Sequence, residues 1–271
     1  MSSKGKIGVF DSGFGGLSIL SEIIKKLPEY DYVYLGDTAR APYGSRSQEI
    51  IFEFTRQGID FLFNNGANLV ILACNTASSE ALRKLQQEYI PKNFPKKKVL
   101  GVVIPGAEEA AQLTQNKCVA ILGTEATVSS NAFLREIKKL NPDISVSQVA
   151  APLLVPLIEA GEEKSESARL LIKQYVDEAL KDGADTLVLG CTHYGLIEGE
   201  IKECVKGVTV ISEGLVVAHK LQEYLNRHSE IESKLSKGGT VEFYTTDQSK
   251  KFDEHGSRFF GRGIQSKQVH I

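Results

Sequence analysis

The sequence predicts an α/β fold with mainly parallel β-sheets, and two observations carry this prediction. Short apolar runs alternate with longer amphipathic segments along nearly the whole chain of 271 residues, an alternation that is typical of α/β proteins. Continuous apolar runs, such as LVILA at 69–73 and TLVLG at 186–190, are what a strand buried on both faces of a parallel sheet requires.

Nine segments have the composition of strands. They are 6–10, 32–35, 69–73, 99–103, 118–122, 145–149, 186–190, 208–211 and 240–244. Helical patterns lie between several of them. After Ser47, for example, apolar residues recur near helical spacing from Ile51 to Leu62, and Gly66 follows as a stop signal.

The bulk composition narrows the function classes. Hydrophobic residues make up 42% and charged residues 24% of the chain, and the formal net charge is -2, so neither a nucleic-acid partner nor an anionic membrane surface is indicated. A probable strand begins within six residues of Met1, which argues against a signal peptide. Four cysteines are widely spaced, without a CxxC pair. We therefore expect a cytoplasmic protein without disulfide bonds.

Two regions suggest a division into two domains. The segment YIPKNFPKKK at 89–98 has two prolines and four lysines, and we interpret it as a surface connection near a domain boundary. A weak internal echo relates KIGVFDSGFGG and LVILACNTAS to CVAILGTEATV and TLVLGCTHYG. The two halves would each end a strand in a cysteine, as a duplication would produce. We expect a first α/β domain at 1–98 plus about 210–271 and a second at 99–209.

Cys74 and Cys191 are the strongest candidates for chemistry. Each follows an apolar strand and precedes hydroxyl or amide residues, at the sheet edge where open α/β sheets bind ligands. We expect the Cys74 thiol to ionise more easily than a free thiol because it lies near a helix N-terminus. One such cysteine alone is more often a buried core residue, but two in matched positions favour a functional pair. His193 is close enough in sequence to exchange a proton with Cys191.

Two further segments are candidates for site residues. Asp11 and Ser12 precede glycines in the pattern GxGG, which differs from the GxGxxG of dinucleotide sites and leaves such a site only a weak alternative. Asp11 could hold an ammonium group or accept a proton, and the alternative is an ordinary strand-to-helix turn. The loop ARAPYGSRS places Tyr43 where it could reach a ligand.

Taken together, these segments resemble the glutamate racemases of the aspartate/glutamate racemase superfamily. The matching pieces are DSGFGGLSIL, GDTARAPYG, ACNTAS, VPLIEAG, GCTHYG and TTDQSKKFDEHGSRFFG, in that order. One departure is Gly195, where the family usually has proline. The resemblance implies two α/β domains that face each other with the amino acid between them, a homodimer, and a supply of D-glutamate for peptidoglycan synthesis.

The resemblance also implies residue roles. Cys74 and Cys191 correspond to the catalytic pair, and Glu159 corresponds to a carboxylate that supports Cys191 together with His193. Asp11 belongs with both the catalytic and the substrate-binding residues. The residues expected to line the substrate are Asp11, Ser12, Tyr43, Gly44, Asn75, Thr76, Thr192 and His193.

Elementary chemistry agrees with these roles. A racemase must remove an α-proton from one face of the carbon and return a proton to the other, which two bases on opposite sides achieve. A thiolate and a thiol suit this task because they exchange states during turnover. Donors aimed at the α-carboxylate would stabilise the carbanionic intermediate. Since no motif lysine suggests pyridoxal phosphate and no metal motif is present, we expect no cofactor and no metal.

Three alternatives remain open at this stage. An aspartate or hydantoin racemase, or a related decarboxylase, would share the scaffold and some of the cysteines. A zinc protein could use Cys74, Cys191 and His193, although these lack the paired short spacings of structural zinc sites. A binding module for a small anion would keep the pocket but show no α-proton exchange.

Overall fold

Two entirely parallel sheets organise the computed structural model, which describes residues 4–271. The six-stranded sheet has the order β10-β9-β2-β1-β3-β4, and the four-stranded sheet has the order β6-β5-β7-β8. The strands are β1 (Lys6–Asp11), β2 (Tyr32–Gly36), β3 (Ala67–Leu72), β4 (Lys98–Gly101), β5 (Cys118–Gly123), β6 (Ser145–Ala150), β7 (Thr186–Gly190), β8 (Thr209–Ser212), β9 (Val241–Thr245) and β10 (Ser266–Gln268). The predicted α/β class is confirmed.

Helices cover the faces of both sheets. The α-helices are α1 (Gly16–Lys26), α2 (Gln48–Asn64), α3 (Asn75–Glu80), α4 (Leu82–Lys84), α5 (Ile90–Asn93), α6 (Val103–Leu113), α7 (Glu125–Ser129), α8 (Ala132–Leu140), α9 (Leu154–Glu159), α10 (Glu166–Leu180), α11 (Glu198–Cys204), α12 (Glu213–Arg227), α13 (Ser229–Glu232) and α14 (Ser249–Phe260). Two 3-10 helices (Thr38–Arg40 and Thr192–Ile197) and a π-helical segment (Leu85–Tyr89) complete the set. Within the described residues, no helix is long and apolar enough to cross a membrane.

The two sheets repeat one connectivity. The order β2-β1-β3-β4 in the larger sheet has the same pattern as β6-β5-β7-β8 in the smaller one. Cys74 follows β3 and Cys191 follows β7, and each of these strands is a central neighbour of the first strand of its sheet. We call the six-stranded sheet with its helices the first half and the four-stranded sheet with its helices the second half.

Helices α1 and α12 pack against each other where the two halves meet. One core cluster runs from β1 residues such as Val9, through Leu20 of α1 and Leu221 of α12, to Leu187 of β7. Separate clusters cover the outer faces, with α2 packed on the larger sheet and α6 with α8 on the smaller one. The halves therefore share an apolar core, which fixes the site that lies between the strand ends.

Most predicted elements appear where the patterns placed them. Helix α2 begins after Ser47, whose side chain accepts a hydrogen bond from Ile50 N, and Gly66 adopts a φ of +91° just beyond its end. The expected strand at 99–103 instead ends at Gly101. Val102 N donates to Ser78 Oγ at 3.1 Å, and α6 begins at Val103. This hydrogen bond between Val102 N and the Ser78 side chain ends the strand two residues earlier than predicted.

Two elements were not predicted from the sequence. The segment at 89–98 is largely exposed, but it contains α5, and the strand that follows it still belongs to the larger sheet. The short strand β10 was not predicted. Its three residues, SKQ, carry no apolar alternation, and they pair with β9 in parallel.

Candidate active site

A cavity of about 210 Å³ lies between the carboxyl ends of the two sheets. It is smaller than the roughly 300–1,000 Å³ typical of drug-sized ligands, so it suits a small metabolite. Ten predicted site residues line it: Ser12, Tyr43, Gly44, Cys74, Asn75, Thr76, Glu159, Cys191, Thr192 and His193. Asp11, the remaining predicted residue, lies fully buried behind the wall.

The turn after β1 brings Asp11 to the site. One Asp11 carboxylate oxygen accepts from Gly13 N at 2.9 Å, and the other accepts from Thr192 Oγ1 at 3.4 Å. Burial raises the pKa of Asp11, while nearby His193 and these hydrogen bonds oppose that rise. A buried carboxylate of this kind gains from an ammonium group placed next to it.

Gly15 explains why this turn is rich in glycine. A Cβ at Gly15 would stand 2.1 Å from Thr192 Oγ1 and 2.8 Å from His193 Nδ1, so the position has no room for a side chain. At Gly195, by contrast, an added Cβ would meet Ser212 Oγ at 3.6 Å, an ordinary contact. Gly15 of the GxGG pattern therefore serves the close approach of the two halves.

Cys74 lies two residues beyond the end of β3 and caps helix α3. Its sulfur accepts from Ala77 N at 3.5 Å and donates to Ser12 Oγ at 3.4 Å. The expected easier ionisation of this thiol is wrong. Burial and the Asp11 carboxylate raise the pKa of Cys74 to about 12, because together they outweigh the hydrogen bonds from the helix and Ser12.

Cys191 ends β7 and lies next to a histidine and a carboxylate. Its sulfur is 3.9 Å from His193 Nδ1, and His193 Nε2 is 2.9 Å from Glu159 Oε1. Burial lowers the pKa of His193, but the hydrogen bonds to Cys191 and Glu159 outweigh it and raise the value to about 10. The ring is therefore an imidazolium at neutral pH and can donate from both nitrogens, to the Cys191 sulfur and to Glu159.

Hydroxyl and amide groups join the two halves around the cavity. Thr76 Oγ1 and Thr124 Oγ1 are 3.0 Å apart, and Gly44 O accepts from Ala126 N at 3.0 Å. A Cβ at Gly44 would stand 2.9 Å from the Thr124 Cβ, so this contact also needs a glycine. Tyr43 lines the cavity, but its hydroxyl donates to the buried Asp37 carboxylate, and burial together with that carboxylate raises the pKa of Tyr43.

Several wall and supporting residues escaped the sequence analysis. Thr124 lies in the CVAILGTEATV segment of the internal echo, where it corresponds to the turn that follows β1. Asp37 orients Tyr43 from behind the wall, and Glu213 accepts from Asn75 Nδ2 at 2.6 Å. Asp37 lies within the GDTARAPYG piece but was given no role, and Glu213 is a buried carboxyl group outside the recognised motifs. Within residues 4–271, no group of three or more His, Cys, Asp or Glu side chains is arranged to hold a metal ion.

Fold and site together define a two-sheet protein with a thiol from each half in one cleft. The family model of Asp/Glu/Hydantoin racemases matches residues 8–221. The chain therefore belongs to the Asp/Glu/Hydantoin racemase family, and the expected resemblance is confirmed.

Particular relatives narrow the comparison within that family. A glutamate racemase of a Sulfurihydrogenibium species is 39% identical over 266 residues, which is 98% of this chain and 97% of that protein. The crystal structure of a glutamate racemase isoform from Bacillus anthracis superposes with a TM-score of 0.90 at 33% identity, covering 98% of each chain. A glutamate racemase from Francisella tularensis, crystallised with D-glutamate, gives a TM-score of 0.87 at 32% identity and the same coverage.

Proposed function

We propose that this protein interconverts L- and D-glutamate by a two-base mechanism in which Cys74 and Cys191 exchange protons with the α-carbon. One observation carries this proposal: the two thiols end equivalent strands of different sheets, yet they line the same small cavity. That arrangement offers a base on each side of a bound carbon, which racemisation without rotation of the substrate requires.

The charges around the thiols set the starting state. In the proposed reaction the buried Cys74 begins as the acid and Cys191 as the base, with the His193 imidazolium 3.9 Å from the Cys191 sulfur. Cys191 Sγ takes the α-proton of the enantiomer whose C–H bond faces this sulfur. The electron pair of that C–H bond passes into the α-carboxylate group. Cys74 Sγ–H then protonates the opposite face of the carbon. The cysteines finish with their protonation states exchanged, and the reverse reaction uses the same steps.

Substrate charges find matching groups in the wall. Asp11 would face the α-ammonium group, and Glu159 with His193 would support Cys191. Ser12, Asn75, Thr76 and Thr192 supply hydroxyl, amide and backbone donors to the carboxylates, while Tyr43 and Gly44 complete the wall. Within residues 4–271, the cavity wall contains no lysine or arginine. The His193 imidazolium is already paired with Cys191 and Glu159, so neutral donors must hold the substrate carboxylates.

Several expectations belong to this proposal. The relatives named above support glutamate as the substrate, and we propose that the reaction needs no metal or other cofactor. We further propose that the protein acts in the cytoplasm as a homodimer and supplies D-glutamate for peptidoglycan synthesis. The domains would be 1–98 plus about 210–271 and 99–209, with boundaries that fall within β4 and β8.

One experiment tests the reaction directly. The purified protein is incubated with L-glutamate in deuterium oxide after dialysis against a chelator, and both chirality and α-deuteration are followed. We expect racemisation with deuterium at the α-carbon, and far slower reaction of aspartate and alanine. Faster turnover of aspartate would move the substrate assignment to the aspartate racemases. Binding of glutamate without deuterium exchange would leave only a binding module.

A further inference from the structure

Glu213 lies where the chain passes from the second half to the first. It is the first residue of α12, directly after β8, and only 4% of its surface is exposed. Its carboxyl group meets the side chain of Asn75, which belongs to α3 in the first half and lines the cavity. The two heavy atoms of this contact, Asn75 Nδ2 and Glu213 Oε2, are 2.6 Å apart.

This contact leaves two buried polar atoms without partners. Asn75 Oδ1 and Glu213 Oε1 have no hydrogen-bond partner among residues 4–271. Burial raises the pKa of Glu213 to about 8, although the bond from Asn75 opposes the rise. The carboxyl group is therefore mainly neutral at pH 7, and its proton needs an acceptor.

Rotating the Asn75 amide by half a turn supplies that acceptor. The oxygen and nitrogen of an amide exchange positions without moving the remaining heavy atoms. Glu213 then donates O–H to Asn75 Oδ1. The separation of 2.6 Å fits an O–H···O bond, for which about 2.5–3.0 Å is usual, better than an N–H···O bond, for which about 2.7–3.2 Å is usual. Neither N–H group of Asn75 is then taken up by Glu213.

We propose that Glu213 is a positioning residue, whose neutral carboxyl group holds the Asn75 amide with its NH2 group towards a carboxylate of the bound amino acid. This inference rests on the proposed function. It is needed because neutral donors must hold an anionic substrate in this wall. Once ionised, Glu213 would take an N–H of Asn75 for itself, and the amide would then present an oxygen to the carboxylate.

Burial and the hydrogen bond with Asn75 set the pKa of Glu213. Several helices packed against α12 carry charged or titratable groups, yet burial and the Asn75 hydrogen bond are the causes of the pKa shift. Those groups are Glu22, Lys25 and Lys26 on α1, Glu108 and Glu109 on α6, His193 on the 3-10 helix Thr192–Ile197, and Glu230 and Glu232 on α13. Near Asn75 they are Cys74, which precedes α3, and Glu80, the last residue of α3.

The test compares the wild type with Glu213→Gln between pH 7 and pH 9. Glutamine stays neutral and can still donate to Asn75 Oδ1. We expect the wild-type KM for each enantiomer, divided by that of the variant, to rise about tenfold over this interval as the competent fraction falls. The kcat ratio should change much less. Taking the ratio cancels the titration of the substrate and of His193, and Glu223→Gln on the exposed face of α12 serves as the charge-removal control.

The outcomes separate the two proposals. A wild type that does not racemise glutamate contradicts the proposed function itself. If it does racemise glutamate, a KM ratio that stays constant or falls with pH overturns the role of Glu213. Should Glu213→Gln not fold, Glu213→Met buries a similar volume without a donor. Its KM at pH 7 should exceed the wild-type value by at least about tenfold, and an unchanged KM also overturns the role.

Discussion

The two halves present their cysteines at equivalent strand ends but in opposite electrostatic surroundings. Cys74 lies beside the buried Asp11 carboxylate, and burial with that charge raises its pKa to about 12. Cys191 instead lies beside His193, which is bonded to Glu159 and remains protonated at neutral pH. Matched backbone positions thus place one sulfur beside a carboxylate and the other beside an imidazolium.

This difference shows how two sheets of the same strand order can place two thiols in unlike surroundings. A symmetric pair with two thiols would lack a base, and one with two thiolates would lack an acid. The strand ends supply the geometry, whereas the residues that follow each strand supply the charge. The predictions below alter one half at a time, from the largest expected effect to the smallest.

Removing either sulfur should have the largest effect. Cys74→Ser and Cys191→Ser should each lower the racemisation rate at least about 10³-fold, because a serine hydroxyl is a far weaker acid and base. Racemisation is measured by circular dichroism or by chiral chromatography. Cys118→Ser and Cys204→Ser are matched controls, since neither sulfur lines the cavity, and their rates should stay close to wild type. Full racemisation by Cys74→Ser or Cys191→Ser contradicts the two-base account.

A methyl group at the joint between the halves should have the next largest effect. Gly15→Ala would push Thr192 and His193 away from the first half, and a displacement of about 1 Å in an active site can lower the rate about 10²-fold. Gly195→Ala is the matched control, because its Cβ would make only an ordinary contact. Equal kcat/KM values for the two folded variants would show that the close approach at Gly15 is unimportant.

The supporting groups should act on different half-reactions. Asp11→Asn removes the negative charge beside Cys74, and His193→Asn removes the positive charge beside Cys191, so each should slow proton transfer at its own cysteine by about 10- to 100-fold. Because the equilibrium constant of a racemisation is unity, kcat/KM must remain equal for the two enantiomers. The asymmetry is therefore measured in single-enantiomer elimination or α-deuterium exchange. Equal losses on both enantiomers in both variants would assign these groups to substrate positioning alone.

Alkylation should distinguish the cysteines by a smaller factor. At pH 7 iodoacetamide should label Cys191 at least about tenfold faster than Cys74, because the thiolate is the nucleophile and the Cys74 pKa is about 12. Labelling of Cys74 should accelerate as the pH rises towards that value, and glutamate should protect both residues. Peptide mapping by mass spectrometry follows the labels. Inactivation that maps chiefly to Cys118 or Cys204 would contradict the assignment of the site.

The sequence predicted most strands of this fold, but it missed the end of β4 and the whole of β10. Strands such as β1 and β7 are easy to recognise in the sequence, because burial on both faces of the sheet favours a continuous apolar run. The end of β4 was missed because Ser78, more than twenty residues earlier in the chain, binds Val102 N. Strand β10 was missed because pairing with β9, rather than its own composition, makes it a strand.

The residues of the site could be predicted where they belong to sequence motifs. Their ionisation could not, because it depends on contacts that form only in the folded chain. The motifs predicted residues from both halves that line one cavity. The ionisation of Cys74 was predicted in the wrong direction, since burial and the proximity of Asp11 appear only in the folded chain. Glu213 escaped for a similar reason: it lies 138 residues from Asn75 in sequence.

The central claim is that each sulfur serves one face of the α-carbon. A glutamate analogue with a leaving group on the β-carbon tests it most directly, because elimination needs only one base. Cys74→Ser keeps Cys191, and Cys191→Ser keeps Cys74, so the variants should eliminate from opposite enantiomers. Family resemblance assigns L to Cys191 and D to Cys74.

The measurement is the rate of elimination from each enantiomer of that analogue by the two single-cysteine variants. The account predicts mirror-image preferences, with Cys74→Ser eliminating from the L form and Cys191→Ser from the D form. Exchange of the two assignments would keep the two-base mechanism and reverse only its direction. A shared preference for the same enantiomer would contradict the claim that the two cysteines act on opposite faces.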